Sequence, residues 1–283
     1  MMADDKFLIR RTINKRVAFG HIEKSGVSIS AFRKTYSEDE FTRVMKVVRD
    51  MHLNVDSCGG GDDDKKDGED EEDCCFPKVL FVNAPKRILV WEACGNDLRE
   101  RALDMGSGIR LSTTQYLLKK VLQSIAALHT KDIIHCDVKT ENIFHYGKRV
   151  VLGDFDLCNT PLRGTPMNVP PETDLLPARD VWAFGQLAFE LLTGKTTWIG
   201  RRANSAQRQA RRIWLGAPRL MPYSQVGFYW NAEDTSALIM AFAADNLRRE
   251  SALIAVDFIR PCLAEDVSKR PSIAELQSHA FFL

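Results

Sequence analysis

His135-Cys136-Asp137-Val138-Lys139-Thr140-Glu141-Asn142 sets a carboxylate, an ammonium and an amide within one short polar stretch. It stands between two segments of different character. Before it, Thr113 to His129 repeats apolar residues at helical spacing and predicts a long amphipathic helix. After it, Val181 to Leu192 is nearly apolar all round and predicts a buried central helix. For any one of these polar residues, capping a helix end would be explanation enough. Their combination and order carry more.

The stretch resembles the catalytic loop of protein kinases, H-R-D-L-K-x-x-N. Four further segments follow in the family's order. Gly153-Asp154-Phe155-Asp156 looks like the D-F-G segment. Gly164-Thr165-Pro166 and Pro170-Pro171-Glu172 look like the end of an activation segment. Asp180-Val181-Trp182-Ala183-Phe184-Gly185 resembles the start of the family's buried helix, and Lys269-Arg270-Pro271-Ser272 its closing motif. The resemblance covers essentially the whole chain. It implies an α+β, bilobal protein kinase-like fold, with a small β-rich lobe carrying one helix and a larger, mainly helical lobe. Lys139 followed by Thr140-Glu141-Asn142 is closer to Ser/Thr kinases than to tyrosine kinases.

What the resemblance implies fits the chemistry of these residue types. Phosphoryl transfer needs an attacking hydroxyl held in line with a γ-phosphate whose charge is neutralised. Asp137 would orient the hydroxyl and accept its proton. Lys139 would reach the phosphate as a point charge. Asn142 and Asp154 supply hard oxygen ligands suited to Mg2+. Glu172 would pair with Arg270, Asp180 would hold the catalytic-loop backbone, and His135 would stack with Phe155 in an apolar spine; none of these is a catalytic assignment. By family position, the ATP site would involve Lys15, Val17, Ser28, Glu92, Cys94, Asp97 and Phe144, with Trp91 as the gatekeeper closing the back of the site.

The small lobe departs from the family. With Val17 at the Val after the glycine-rich loop, the three glycine positions are Arg10, Thr12 and Lys15. Glycines there let backbone N–H groups approach phosphates. Val27-Ser28-Ile29-Ser30 aligns with V-A-I-K, which puts Ser30 in place of the nucleotide lysine. Val44 then stands in place of the helix glutamate, so both halves of the usual ion pair are absent together, a coherent loss because one partner alone would be an unpaired charge. Lys15 is the candidate substitute lysine, as in with-no-lysine kinases. Cys136 replaces the Arg that receives an activation-loop phosphate, and Asp156 replaces the D-F-G glycine. Both point to a constitutive conformation rather than a phospho-switch.

Outward from these motifs, Val17-Ala18-Phe19 and Val27-Ser28-Ile29 read as strands joined at Lys24-Ser25-Gly26. Ser37-Glu38-Asp39-Glu40 opens a helix that runs through Met51. Val79 to Val82 and Ile88 to Trp91 are two more strands. The tract GGGDDDKKDGEDEED, Gly59 to Asp73, cannot bury apolar surface and reads as a disordered insertion at about residues 57–74. The small lobe is expected at about residues 6–94 and the large lobe at about 95–283, as one domain.

Composition excludes little but excludes it cleanly. The formal net charge is +1, which gives no argument for nucleic acid or a membrane surface. The cluster Arg201, Arg202, Arg208, Arg211 and Arg212 reads as a solvated helix face. Seven cysteines show no paired CxxC spacing, so zinc is not indicated and reduced thiols in a cytoplasmic or nuclear compartment are expected. No apolar run reaches the roughly 18–20 residues of a membrane span. The reading is therefore a divergent Ser/Thr protein kinase using ATP and Mg2+ on a protein substrate. The alternative is a pseudokinase, a nucleotide-binding or scaffold module acting on a regulatory partner. A small-molecule kinase of the same fold is a third reading, disfavoured by the peptide-platform motifs. The eroded small lobe also resembles divergent kinases of large DNA viruses. The oligomeric state is not encoded in any motif.

Overall fold

The computed structural model describes residues 7–24, 27–53, 75–99, 108–160, 170–172, 174–195, 230 and 232–283. The acidic tract, Ser25 and Gly26 of the expected Lys24-Ser25-Gly26 turn, Gly164-Thr165-Pro166 and the arginine cluster lie outside the described residues.

The chain begins with three antiparallel strands, β1 (Phe7–Thr12), β2 (Val17–Lys24) and β3 (Val27–Thr35). Helix α1 (Glu38–Asp50) follows, then β4 (Val79–Asn83) and β5 (Ile88–Glu92). The five strands form one sheet in the order β1-β2-β3-β5-β4. In the β2–β3 pair, Val17 faces Lys34, Phe19 faces Phe32 and Lys24 faces Val27. Directly paired residues share a face. One face therefore carries Val17, Phe19, Phe32 and Lys34. The other buries Ile22 and Ala31 against Leu80 and Val90.

Helix α1 starts where the sequence places it. The Ser37 hydroxyl accepts the Glu40 N–H at 3.4 Å, and the Glu40 carboxylate accepts the Ser37 N–H at 2.9 Å. This reciprocal cap satisfies two backbone donors that a helix start would otherwise leave unpaired. Glu40 also pairs with Arg16 from the β1–β2 turn, tying the helix to that turn.

Ala93, Cys94 and Gly95 lead from the sheet to a small second sheet of β6 (Asn96–Asp97), β7 (Ile143–Tyr146) and β8 (Arg149–Leu152). Gly95 has φ +88°, and a Cβ there would lie 2.9 Å from the His145 carbonyl. Only glycine fits this crossing.

The other described elements are mainly helical: α2 (Leu111–His129), α3 (Ala178–Thr193), α4 (Ala232–Ala244), α5 (Arg249–Cys262) and the short α6 (Ile273–Gln277). In α2, Leu117, Leu118, Val121, Leu122, Ile125 and Leu128 are buried at the spacing of one face. In α3 every residue but Ala178 and Glu190 is buried. A Cβ on Gly185 would sit 2.6 Å from the Cys262 side chain, so α3 and α5 approach at a distance that glycine permits. The result is the α+β, two-lobed arrangement expected from the sequence. No helix among the described residues is long and apolar enough to cross a membrane.

Candidate active site

The catalytic-loop residues are held from below by α3. Both Asp180 carboxylate oxygens accept backbone N–H groups, from His135 at 2.8 Å and from Cys136 at 2.9 Å. His129 Nε2 lies 2.9 Å from the same carboxylate. Cys136 has φ +66°, in the left-handed region. A non-glycine residue there costs about 1–2 kcal/mol, and the two Asp180 bonds fix it. Burial, followed by the Asp180 charge, pushes the Cys136 thiol up to about 11, so it stays a neutral thiol and offers no cation to a phosphate.

That backbone turn presents three side chains together. Lys139 Nζ lies 2.6 Å from Asp137 Oδ2. Asn142 Nδ2 donates to the Asp137 carbonyl at 2.8 Å and to its Oδ2 at 3.1 Å. With both amide hydrogens used, Asn142 keeps Oδ1 as its acceptor on the cleft that it lines. Asp137 is 5% exposed.

Asp154 and Asp156 flank Phe155 at the cleft floor. Phe155 is buried against His135, Trp91 and Phe76, with ring centroids 5.8, 5.9 and 6.0 Å away. His135 Nδ1 accepts the Asp137 N–H at 3.3 Å, which leaves Nε2 to donate to the Gly153 carbonyl at 3.0 Å. Phe155 thus sits in an apolar stack that reaches from the catalytic loop to the upper sheet, as the sequence resemblance implied.

The cleft between the lobes is lined from above by Val17, Phe19, Phe32, Lys34 and Trp91, from the connection by Ala93, Cys94 and Gly95, and from below by Asn142, Phe144 and Asp154. Trp91 closes its back wall. Its ring lies parallel to Phe32 at 6.5 Å, and its Nε1–H donates to the Tyr36 hydroxyl at 2.9 Å.

Of the nucleotide positions expected from sequence, Val17, Cys94 and Phe144 line this cleft, as do Asn142 and Asp154. Four others stand elsewhere. Lys15 is exposed and outside the cleft lining. Ser28 is exposed six positions along β3 from Lys34, about 20 Å at 3.3 Å per residue. The Glu92 carboxylate points away into a tie, accepting from Arg149 at 2.5 Å and from the Lys78 N–H at 2.7 Å. Asp97 accepts the Arg99 N–H at 3.0 Å and does not line the cleft.

The alignment of Ser30 with the nucleotide lysine is corrected by the register. Ser30 pairs with His21 and is exposed, whereas Lys34 pairs with Val17 and enters the cleft. Its Nζ lies 2.7 Å from Asp154 and 2.8 Å from Asp156. Phe32, two residues earlier on the same face, takes the wall position assigned to Ser28. A strand lysine, Lys34, therefore enters the cleft, and Lys15 does not. Val44 lies fully buried on α1 and carries no charge to Lys34.

Burial alone would lower the Lys34 ammonium, but Asp154 and Asp156 together hold it above its ordinary value. Burial likewise disfavours the ionised Asp154; the adjacent Lys34 outweighs this and keeps its carboxyl below the usual range. Asp156 goes the other way, raised first by its burial and then by the Asp154 charge. The hard oxygens of Asp154 and Asn142 Oδ1 border one cleft, a donor set that suits a divalent cation of the magnesium type.

The β1–β2 turn above the cleft contains none of the three glycines. Four backbone donors here are spent internally. Ile13 and Asn14 N–H groups donate to the Val17 carbonyl, and Asn14 Oδ1 accepts the N–H groups of Arg16 at 2.8 Å and Val17 at 2.9 Å.

Below the site, Arg270 makes two bonds to Glu172, at 2.8 and 2.7 Å. It also donates to the carbonyls of Ala264 and Ala178 and lies over the Trp182 ring at 4.9 Å.

Comparison with known proteins gives the same picture. Residues 78–282 match the family model described as protein kinase domain. The chain is 25% identical over 193 residues to mitogen-activated protein kinase kinase kinase 20 of Arabidopsis thaliana, covering 62% of this chain and 49% of that protein. It is 28% identical over 177 residues to the mouse serine/threonine-protein kinase PAK 1, covering 58% of this chain and 28% of that protein. It is 31% identical over 223 residues to the zebrafish (Danio rerio) serine/threonine-protein kinase H1 homolog, covering 72% of this chain and 46% of that protein. The chain thus spans half or less of the length of these relatives. The family-model match begins after β3, so the place of Lys34 rests on strand register and geometry.

Proposed function

The chain belongs to the protein kinase family, and on that premise we propose that it transfers the γ-phosphoryl group of ATP to Ser or Thr hydroxyls of protein substrates. The observation that supports this reading most is the convergence on one cleft of Asp137, Lys139, Asn142 and Asp154 from below and Lys34 from above. Each answers a need of the reaction. Asp137 aligns the acceptor hydroxyl and takes its proton as the oxygen attacks phosphorus. Lys139, already 2.6 Å from Asp137, offers its positive charge to the phosphoryl oxygens beside the base. Lys34 holds the inner phosphates from the sheet side. Asn142 and Asp154 would hold Mg2+, which when bound neutralises phosphate charge. The adenine face would lie among Val17, Phe32, Cys94 and Phe144, with Trp91 behind it.

One observation favours the second reading, a nucleotide-binding module that transfers nothing. The β1–β2 turn closes on itself through Asn14, so its Arg16 and Val17 N–H groups do not point to a phosphate. The two readings part in one experiment. Radiolabel transfer from ATP to a basic protein mixture is measured for wild type and Asp137→Ala, with magnesium and with manganese. The kinase reading expects label on Ser and Thr in the wild type and a loss of roughly 10²–10⁴-fold in the variant. Equal background in both, together with a nucleotide-dependent thermal shift, would establish the second reading instead.

A further inference from the structure

We propose that Asp156 is the positioning carboxylate for Lys34, taking over the role that a helix glutamate has in the family's ion pair. The inference rests on the kinase reading of the cleft and adds a residue to it.

Helix α1 has no carboxylate to give. Its inward face at the middle is Val44, fully buried. Glu40 is already held by the Ser37 N–H and by Arg16. Arg43, the other polar residue turned toward the floor, donates its Nε–H to the Asp156 carbonyl at 3.2 Å. Among the described residues, Lys34 Nζ pairs with Asp154 and Asp156 and with no acid of α1.

The two acids are not equivalent. Asp154 lines the cleft and its side chain is 36% exposed, whereas Asp156 is 16% exposed and stands behind it. A cation held by Asp154 on the cleft side would compete with the ammonium for that carboxylate's charge. Asp156, turned away from the cleft lining, keeps its bond to Lys34 throughout. An ammonium has three N–H donors. One stays on Asp156 and the others remain for phosphate oxygens, so the lysine is aimed rather than free to swing. The Tyr36 ring closes the remaining side at 5.6 Å from Nζ.

Local backbone makes this substitution available. Phe155 to Leu157 form a 3-10 turn, and Asp156 has no positive φ, so the position tolerates a side chain. Arg43 fixes the same residue's carbonyl from α1. The lysine anchor is thereby built from β3 and the floor turn, two elements that meet at the cleft, and does not require a movement of α1 to bring it into place.

The test is a double-mutant cycle read on two quantities: the dissociation constant for ATP with magnesium, by calorimetry or nucleotide-dependent thermal shift, and kcat/KM for ATP. The variants are Lys34→Met, Asp156→Asn and the pair. Asp156→Asn alone should weaken ATP binding and lower kcat/KM by about tenfold or more, about 1.4 kcal/mol. In the Lys34→Met background the same change should alter either quantity less than twofold, since the residue acts only through the lysine. Additive losses, or an Asp156→Asn protein equal to wild type, would overturn the proposal. If Asp156→Asn does not fold, Asp156→Gly, the family's usual residue there, replaces it in the cycle with the same expectations. A wild type that binds ATP but transfers no phosphate would refute the kinase reading while the binding cycle still decides Asp156. A wild type that binds no ATP would overturn both.

Discussion

Asp180, on the buried helix α3, receives the backbone N–H groups of both His135 and Cys136 on its two carboxylate oxygens, at 2.8 and 2.9 Å. Its carboxylate is wholly buried. The pair of bonds fixes a left-handed Cys136 and so sets the direction in which Asp137 leaves the chain. Asp180→Asn keeps the shape but turns an NH2 group toward one N–H, leaving two donors opposed. Loss of a buried charged acceptor is expected to lower stability by about 2–4 kcal/mol, measured as a shift of the urea midpoint at constant slope. Phosphoryl transfer should fall further than the folded fraction does, because Asp137 loses its aim. A variant with wild-type stability would show that the Asp180 bonds carry none of the strain.

Arg270 and Glu172 tie the end of the helical lobe to the segment before α3. The guanidinium is fully buried and its two parallel bonds match the carboxylate fork. Lysine cannot reproduce that fork, nor the contact over Trp182. Arg270→Lys is therefore expected to cost about 2–4 kcal/mol, and Glu172→Gln a similar amount. The double variant should lose clearly less than the sum of the two. Strict additivity in chemical denaturation would mean that the pair is not one unit.

The catalytic-loop end of the cleft is local in the sequence and was legible there. Asp137, Lys139 and Asn142 stand within one short stretch, and their mutual bonds follow from its turn. The strand lysine was not read because Val27-Ser28-Ile29-Ser30 imitates V-A-I-K as a string. Pairing register carries the better signal. Lys24 stands opposite Val27, and stepping outward along the two strands puts Val17 opposite Lys34. Ser30 on that count faces His21, and it is absent from the cleft lining. The role of Asp156 was hidden for another reason. Its departure from glycine was visible, but its partner lies in a distant strand, and only packing of the floor turn beneath β3 brings the two charges to 2.8 Å.

Glu190 makes stability depend on pH. Its carboxyl is pushed up to about 7 by burial and, after that, by the nearby Glu141 charge. The Thr140 hydroxyl lies between them, 3.1 Å from Glu141 and 3.4 Å from Glu190. The folded state then binds a proton that the unfolded state releases near 4.5. Between pH 4.5 and about 7 the folded form holds more protons, so this group's contribution to stability falls as pH rises and levels off above 7. Glu190→Gln should remove that slope. Urea unfolding at pH 5 and pH 8 is expected to show the variant gaining relative to wild type at the higher pH, by about 1–3 kcal/mol. A difference independent of pH would show that Glu190 does not titrate in this range.

Trp91 closes the back wall of the cleft. Its indole fills the space between Phe32 and Phe155, and its N–H is held by the Tyr36 hydroxyl. Removing it entirely, as in Trp91→Ala, would cost about 3–5 kcal/mol and confuse folding with selectivity. Trp91→Leu keeps an apolar wall but shortens it, with a smaller loss of roughly 2 kcal/mol. The opened space lies behind the position proposed for the adenine ring. An adenosine analogue with a benzyl group on its exocyclic amine should therefore bind wild type poorly and the Trp91→Leu protein at least tenfold more tightly. Affinity for the unsubstituted nucleotide should change less than threefold, because Val17, Cys94 and Phe144 are untouched. Competition binding measures both. If the benzyl analogue binds both proteins alike, the nucleotide does not sit with its amine toward Trp91, and the adenine position inferred from the cleft walls is wrong.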